Sequence, residues 1–131
     1  MIRLFPFVGA LAALLAVAAG AFGTHAIRAR LPLDLLTVFD TATRYQMYHA
    51  LGLFAVGWVG SRAPAASGLI QMSGWLFIAG IVLFSGSLYA LALTGQRWLG
   101  AITPLGGLAL MAGWVCLAAA IWRGEGAAKP Y

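Results

Sequence analysis

Charge is what this chain has least of. Only 8% of its 131 residues are charged, against about 25% in soluble domains. The acids number three, Asp34, Asp40 and Glu125, too few and too scattered for a carboxylate pair doing acid–base chemistry or for a carboxylate-rich metal site. The single cysteine, Cys116, excludes a disulfide within the chain and a cysteine metal cluster. Its apolar surroundings point to an inert buried thiol. Two histidines, His25 and His49, are the only imidazoles. No nucleotide-binding loop and no Ser–His–Asp order is present. The net charge of +5 comes from scattered arginines and one lysine, not from a stripe that reads a groove, so no nucleic-acid partner is expected.

What fills the chain is apolar: 63% of the residues are hydrophobic. Apolar runs lie at about 4–24, 40–60, 69–93 and 99–122. Each is long enough to cross about 30 Å of hydrocarbon at about 1.5 Å per residue. The expectation is an all-α membrane protein, one integral domain over residues 1–131, built as a bundle of four transmembrane helices with a loose tail at 123–131. The first run has the look of a signal peptide, Arg3 ahead of an Ala/Leu core, and is expected to be retained as a helix. Ser61 to Gly68 and Thr94 to Arg97 are expected turns. Between His25 and Phe39, leucines mixed with Arg28, Arg30 and Asp34 suit an amphipathic connection lying on the membrane surface. Pro104, inside the fourth run, is expected to bend it.

Basic residues mark the helix ends. Arg3, Arg62, Arg123 and Lys129 fall on one side, and Arg28, Arg30, Arg44 and Arg97 on the other. The positive-inside count is tied, with a lean toward cytoplasmic termini once Arg44 is placed within a crossing helix. Small residues four apart, as in Ala12/Ala16/Gly20, Gly86/Ala90/Thr94 and Ala109/Gly113, permit close helix packing. They also leave room for self-association or for docking on a larger membrane complex.

The second run breaks the apolar rule. Its first half carries Arg44, Tyr45, Gln46, Tyr48 and His49. Met47 to Gly60 alone would be about 21 Å, too short to span, so the crossing helix must include the polar half. His49 then lies about 16 Å from the Gly60 end, near mid-membrane. At about 100° per residue, Thr41, Arg44, Tyr45, Tyr48, His49 and Gly52 share one arc, and Met47, Ala50, Leu51, Phe54 and Trp58 the other, with Gln46 as the exception on the apolar side. Polar side chains are costly in hydrocarbon and mark interior or functional positions. Ser85, Ser87 and Tyr89 on the third helix are the expected partners for His49 or Tyr48, and Asp34 or Asp40 for Arg44. Three roles stay open for this stripe: hydrogen bonding that holds the bundle together, a pocket that binds or passes a small polar solute, ion or proton, and a cofactor or catalytic centre. An enzyme is the least expected, and no cofactor or metal is expected. His25, at the end of the first run, should sit at the interface, hydrogen-bonded to the following loop and about 13 Å from the depth of His49. That offset argues against a bis-histidine haem.

Four stretches in order carry a resemblance: Gly20-Ala-Phe-Gly-Thr-His25, Tyr45-Gln-Met-Tyr-His49-Ala-Leu51, Phe84-Ser-Gly-Ser-Leu-Tyr-Ala-Leu-Ala-Leu-Thr-Gly95, and Thr103-Pro-Leu-Gly-Gly107 with Gly113-Trp114. Together they resemble the family called domain of unknown function 423, or UPF0382, of small inner membrane proteins. Thr24 stands where that pattern has alanine. The resemblance implies a small multi-pass membrane protein and places His25 and His49 in the family pattern. It implies no activity, substrate or cofactor. It also draws attention to Thr103 to Gly107, as a cavity wall or as a packing kink.

Overall fold

Backbone amides in hydrocarbon can be satisfied only along their own helix, and helix is what this apolar sequence forms almost throughout. A computed structural model describes residues 1–63 and 66–126. Helix α1 runs from Leu4 to Ile27, α-helical at Leu4–Ala18 and Thr24–Ile27 with a π-helical turn at Ala19–Gly23 between. Helix α2 is Leu33–Gly60. Helix α3 runs from Ser67 to Thr94, with a second π-helical turn at Ile81–Ser85. A 3-10 segment, Arg97–Ala101, leads into helix α4, Thr103–Gly126.

α1 packs along α2, and α3 along α4; α2 also contacts α3 and α4. The core is Phe5, Leu53, Val56, Ile70, Phe77, Leu110, Leu117 and Ala120. Phe5 of α1 lies against Gly74 of α3, edge-on to Trp75 with ring centres 5.9 Å apart. Phe77 lies between Gly52 of α2 and Gly113 of α4. Leu14, Leu15 and Val17 of α1, Val82 of α3, and Leu105, Leu108, Met111 and Val115 of α4 are exposed. Such an apolar exterior suits lipid.

Three stretches are both long and apolar enough to cross a membrane: Leu4–Ile27, Gly68–Thr94 and Arg97–Gly124. This corrects the expectation of four. α2 has length to spare, 28 residues or about 42 Å, but Asp34, Asp40, Arg44, Gln46 and His49 make it too polar. The surface-lying connection is also corrected. Leu33 to Phe39 form the first two turns of α2 itself, so the helix starts seven residues before Asp40. Pro32 (ψ 155°) stands at its N-cap, its carbonyl accepting from Leu36 N–H at 3.0 Å; Asp34 in the first turn suits the positive end of the helix dipole. Only residues 28–32 remain as a connection.

α3 ends at Gly95, whose φ of 71° is a left-handed cap that glycine adopts without strain. Its N–H reaches the Leu91 carbonyl at 2.8 Å. Pro104 does not bend a continuous run. It sits in the first turn of α4, where a missing N–H leaves no helical bond unmade, and the expected fourth helix is split there into 3-10 and α segments. α4 continues to Gly126, past the expected end at Trp122. Cys116 is half-buried. Residues 64 and 65 of the expected turn and 127–131 of the expected tail lie outside the described residues.

Gly106 makes the closest backbone approach. A Cβ there would come within 2.3 Å of the Phe84 amide nitrogen in the π-helical turn of α3. At Gly107 the nearest atom would be an ordinary 3.7 Å away. Gly106→Ala is therefore expected to lower stability by about 1–3 kcal/mol, and Gly107→Ala by no more than about 0.5 kcal/mol. Thermal unfolding of the two variants in the same detergent separates them; equal melting temperatures would contradict the close approach.

Candidate functional site

The buried residues of α2 include Phe39, Ala42, Gln46, His49, Ala50, Leu53 and Val56, in the three-and-four spacing of one helix face, with Gly52, Val59 and Gly60 buried as well. Gln46 and His49 thus both point inward. Arg44, Tyr45 and Tyr48 are exposed. The expected facing is corrected on two counts: Gln46, set apart as an exception on the lipid side, is at the interior seam, and Arg44 and Tyr48 are outside it. The reason is that α2 buries the face it shares between α1, α3 and α4, and that face is fixed by the apolar residues from Ala50 to Val56, not by the polar ones.

Gln46 joins three helices. Its Nε2 donates to the Ala12 carbonyl of α1 at 2.8 Å. The Tyr89 hydroxyl of α3 donates to its Oε1 at 2.8 Å and lies 3.3 Å from Thr43 Oγ1. Thr43 in turn donates to the Phe39 carbonyl at 3.1 Å, and Phe39 packs edge-on against the Tyr89 ring, centres 5.1 Å apart. Ser85, in the π-helical turn of α3, is buried and donates to the Ala42 carbonyl at 2.7 Å. Beside this seam a groove of about 300 Å³ is lined by Leu15, Ala19, Phe39, Gln46 and Tyr89.

His49 has a separate setting. Its Nδ1 lies 2.7 Å from the Tyr45 carbonyl. A carbonyl can only accept, so Nδ1 carries the proton, and the neutral ring offers a lone pair at Nε2. Around it stand Phe77 and Trp114, ring centres 5.7 and 6.1 Å away, with Tyr45 stacked at 6.0 Å and Phe84 behind Tyr45 at 4.6 Å. The expected bonds from Ser85, Ser87 or Tyr89 to His49 or Tyr48 are not the ones made. Ser87 bonds Thr103 Oγ1 at 2.7 Å and donates to the Phe84 carbonyl at 3.0 Å. Arg44 pairs with Asp40 at 2.9 Å, both exposed, and Asp34 pairs with Arg97 at 3.3 Å. His25 is exposed on the last turn of α1, and its expected bond to the following loop is absent among the described residues. Nor do the described residues gather three or more His, Cys, Asp or Glu side chains in a metal-holding group.

Sequence reasoning missed Ser73, fully buried and donating to the Gly113 carbonyl of α4 at 2.8 Å. Its signal was present, a lone hydroxyl beside Gly74 deep in an apolar run. It missed both π-helical turns, whose register is set by tertiary packing and leaves no local mark.

Apolar spans around a polar, hydrogen-bonded seam define a multi-pass helical membrane protein. The family described as "Protein of unknown function (DUF423)" matches residues 19–107, and the chain belongs to it. It is 48% identical to the UPF0382 membrane protein YwdK of Bacillus subtilis (strain 168) over 118 residues, covering 90% of this chain and 95% of that protein. It is 48% identical to the UPF0382 membrane protein SSP2132 of Staphylococcus saprophyticus over 115 residues, 88% and 93% of the two chains. It is 44% identical to the UPF0382 membrane protein SERP0230 of Staphylococcus epidermidis over 124 residues, 95% and 99%. No solved structure matches.

If Gln46 and Tyr89 hold α2 and α3 together, they are energetically coupled. A double-mutant cycle of Gln46→Leu and Tyr89→Phe, read by unfolding in detergent, is expected to give about 0.6–1.7 kcal/mol, the range found for hydrogen bonds between membrane helices. The same cycle with outward-facing Tyr48→Phe should be additive. Coupling equal in the two cycles would refute the seam.

Proposed function

We propose that α2 is a fourth crossing, shielded by three apolar helices, and that the protein is a binding protein of the bacterial cell membrane. Its groove beside Gln46 and Tyr89 takes a small solute with one hydroxyl or carbonyl group on a largely apolar body. The observation that carries this reading is the valence left on Gln46. An amide has two N–H donors and two acceptor lone pairs. Ala12 takes one donor and Tyr89 one lone pair, so one of each remains at the groove wall. The packing of α2 against α1, α3 and α4 supports the crossing, and the Bacillus and Staphylococcus relatives named as membrane proteins support the location.

Binding is favoured over conduction of an ion or proton. Among the described residues no buried side-chain nitrogen or oxygen lacks a hydrogen-bond partner, so the polar atoms are held by one another and not strung along an open path. His49, enclosed by aromatic rings, belongs to a second polar point, separate from the groove. An accessory role in a larger complex, or self-association, has one observation in its favour: Gly86 on the outer face of α3 has nothing within 4 Å of a built Cβ, leaving space for another helix. A single-chain mass after gentle extraction would count against it.

Native mass spectrometry of the parent, released from membranes in mild detergent, tests the groove. A retained small molecule is expected, absent from Ala19→Trp, which fills the groove, and weakened in Gln46→Leu. A bare chain mass for the parent would overturn the reading. The crossing has its own test in a Cys116→Ser background. Leu33→Cys and Ser61→Cys are expected to react with an impermeant maleimide from opposite sides of the membrane, and Leu51→Cys from neither. Labelling of 33 and 61 from the same side would refute it.

A further inference from the structure

A second recess, of about 270 Å³, opens between the last turn of α1 and the first turns of α2. Its walls are Thr24, Arg28, Leu36, Thr37 and Asp40, none of them shared with the Gln46 groove. At about 30 Å³ per water it holds the volume of several waters. Its depth follows from α1: the apolar span ends at Ile27, so Arg28 and its neighbours stand at the membrane–water interface.

The two walls differ in sign. On the α1 side, Arg28 offers a planar fork of donors and takes no ion pair among the described residues. On the α2 side, Asp40 engages Arg44 through Oδ2 at 2.9 Å, and its side chain is about half exposed. Thr37 has spent its proton on the Leu33 carbonyl at 2.9 Å, so its oxygen can only accept. An anion alone would meet Arg28 but face the Asp40 carboxylate. A cation alone would meet Asp40 but face an uncompensated guanidinium. A molecule with both charges a few atoms apart satisfies both walls, and Leu36 gives its carbon linker an apolar side.

We infer that this recess binds an aminophosphate zwitterion, its phosphate on Arg28 and its ammonium on Asp40. Arginine suits the phosphate because its fork bonds two oxygens at once. The same chemistry is available as the headgroup of phosphatidylethanolamine and as free phosphoethanolamine. The site does not depend on the groove proposal, since it needs only the end of α1 and the start of α2.

The test uses the full chain in mild detergent, offered equimolar phosphatidylethanolamine and phosphatidylglycerol with the same acyl chains, with retained lipid counted by native mass spectrometry. The parent is expected to retain the zwitterion at least about fivefold over the anion, in line with a differential of about 1 kcal/mol. Arg28→Gln, which removes the phosphate contact common to both lipids, should lower the retention of both at least about fivefold. Asp40→Asn should bring the anionic lipid level with the zwitterion. Arg44→Gln, which breaks the same ion pair but keeps the carboxylate, should leave the preference intact. Circular dichroism confirms that each variant is folded; should Asp40→Asn misfold, the parent's preference and the loss of retained lipid in Arg28→Gln decide. A parallel thermal-shift arm with free phosphoethanolamine separates the sources. Stabilisation there supports a water-borne ligand, and lipid retention without it supports the headgroup. Equal retention of the two lipids by the parent, or lipid retention untouched by Arg28→Gln, overturns the inference.

Discussion

A glutamine amide buried among packed helices has little water to turn to, and leaving it unpaired costs several kcal/mol. Much of this architecture follows from meeting that demand. The amide of Gln46 is met by a carbonyl from α1 and a hydroxyl from α3, which fixes the rotation of α2 about its axis and the height of both neighbours. The apolar core around Leu53, Phe77 and Leu110 is less selective, because lipid is as apolar as leucine and gives such contacts little directional preference. Packing supplies cohesion, and the polar seam supplies register.

The helical class and the location of the polar residues were legible in the sequence because they rest on run length and composition. Of Asp34 and Asp40, both open as partners for Arg44, it is Asp40 that pairs with it, one helical turn away, while Asp34 goes to Arg97. The inward face of α2 was harder to read. Its polar residues cover more than one side, so an arc drawn to gather the greatest number of them took in Tyr48 and Arg44 and left out Gln46. Had the arc been centred on Ala42, Ala50, Leu53 and Val56, whose small and branched side chains are all buried, Gln46 and His49 would have fallen inside it. The start of α2 was hidden for another reason. Leu33 to Phe39 read equally well as an amphipathic surface piece, and the sequence left open that the helix starts directly after Pro32.

The two π-helical turns lie where α1 and α3 meet the polar half of α2. Gly20 and Gly23 in the first face Thr43 and Phe39, and Ser85 in the second bonds the Ala42 carbonyl. Each turn inserts a residue relative to regular α-helix, a device that recurs at functional sites. Here the two flank the stretch from Phe39 to Gln46, and Ala19 and Tyr89 beside them line the groove. The backbones of α1 and α3 are thus irregular where they meet this stretch of α2.

Among the described residues three bonds hold the helices to one another from side chain to main chain: Gln46 to the carbonyl of Ala12, Ser85 to that of Ala42, and Ser73 to that of Gly113. Every residue type carries the accepting group, so no substitution at positions 12, 42 or 113 can delete it. Vulnerability to sequence drift is therefore lopsided. The three donors must keep their chemistry, whereas the acceptor positions answer only to size, most strictly at Gly113, where a Cβ would come within 2.7 Å of the Phe77 ring.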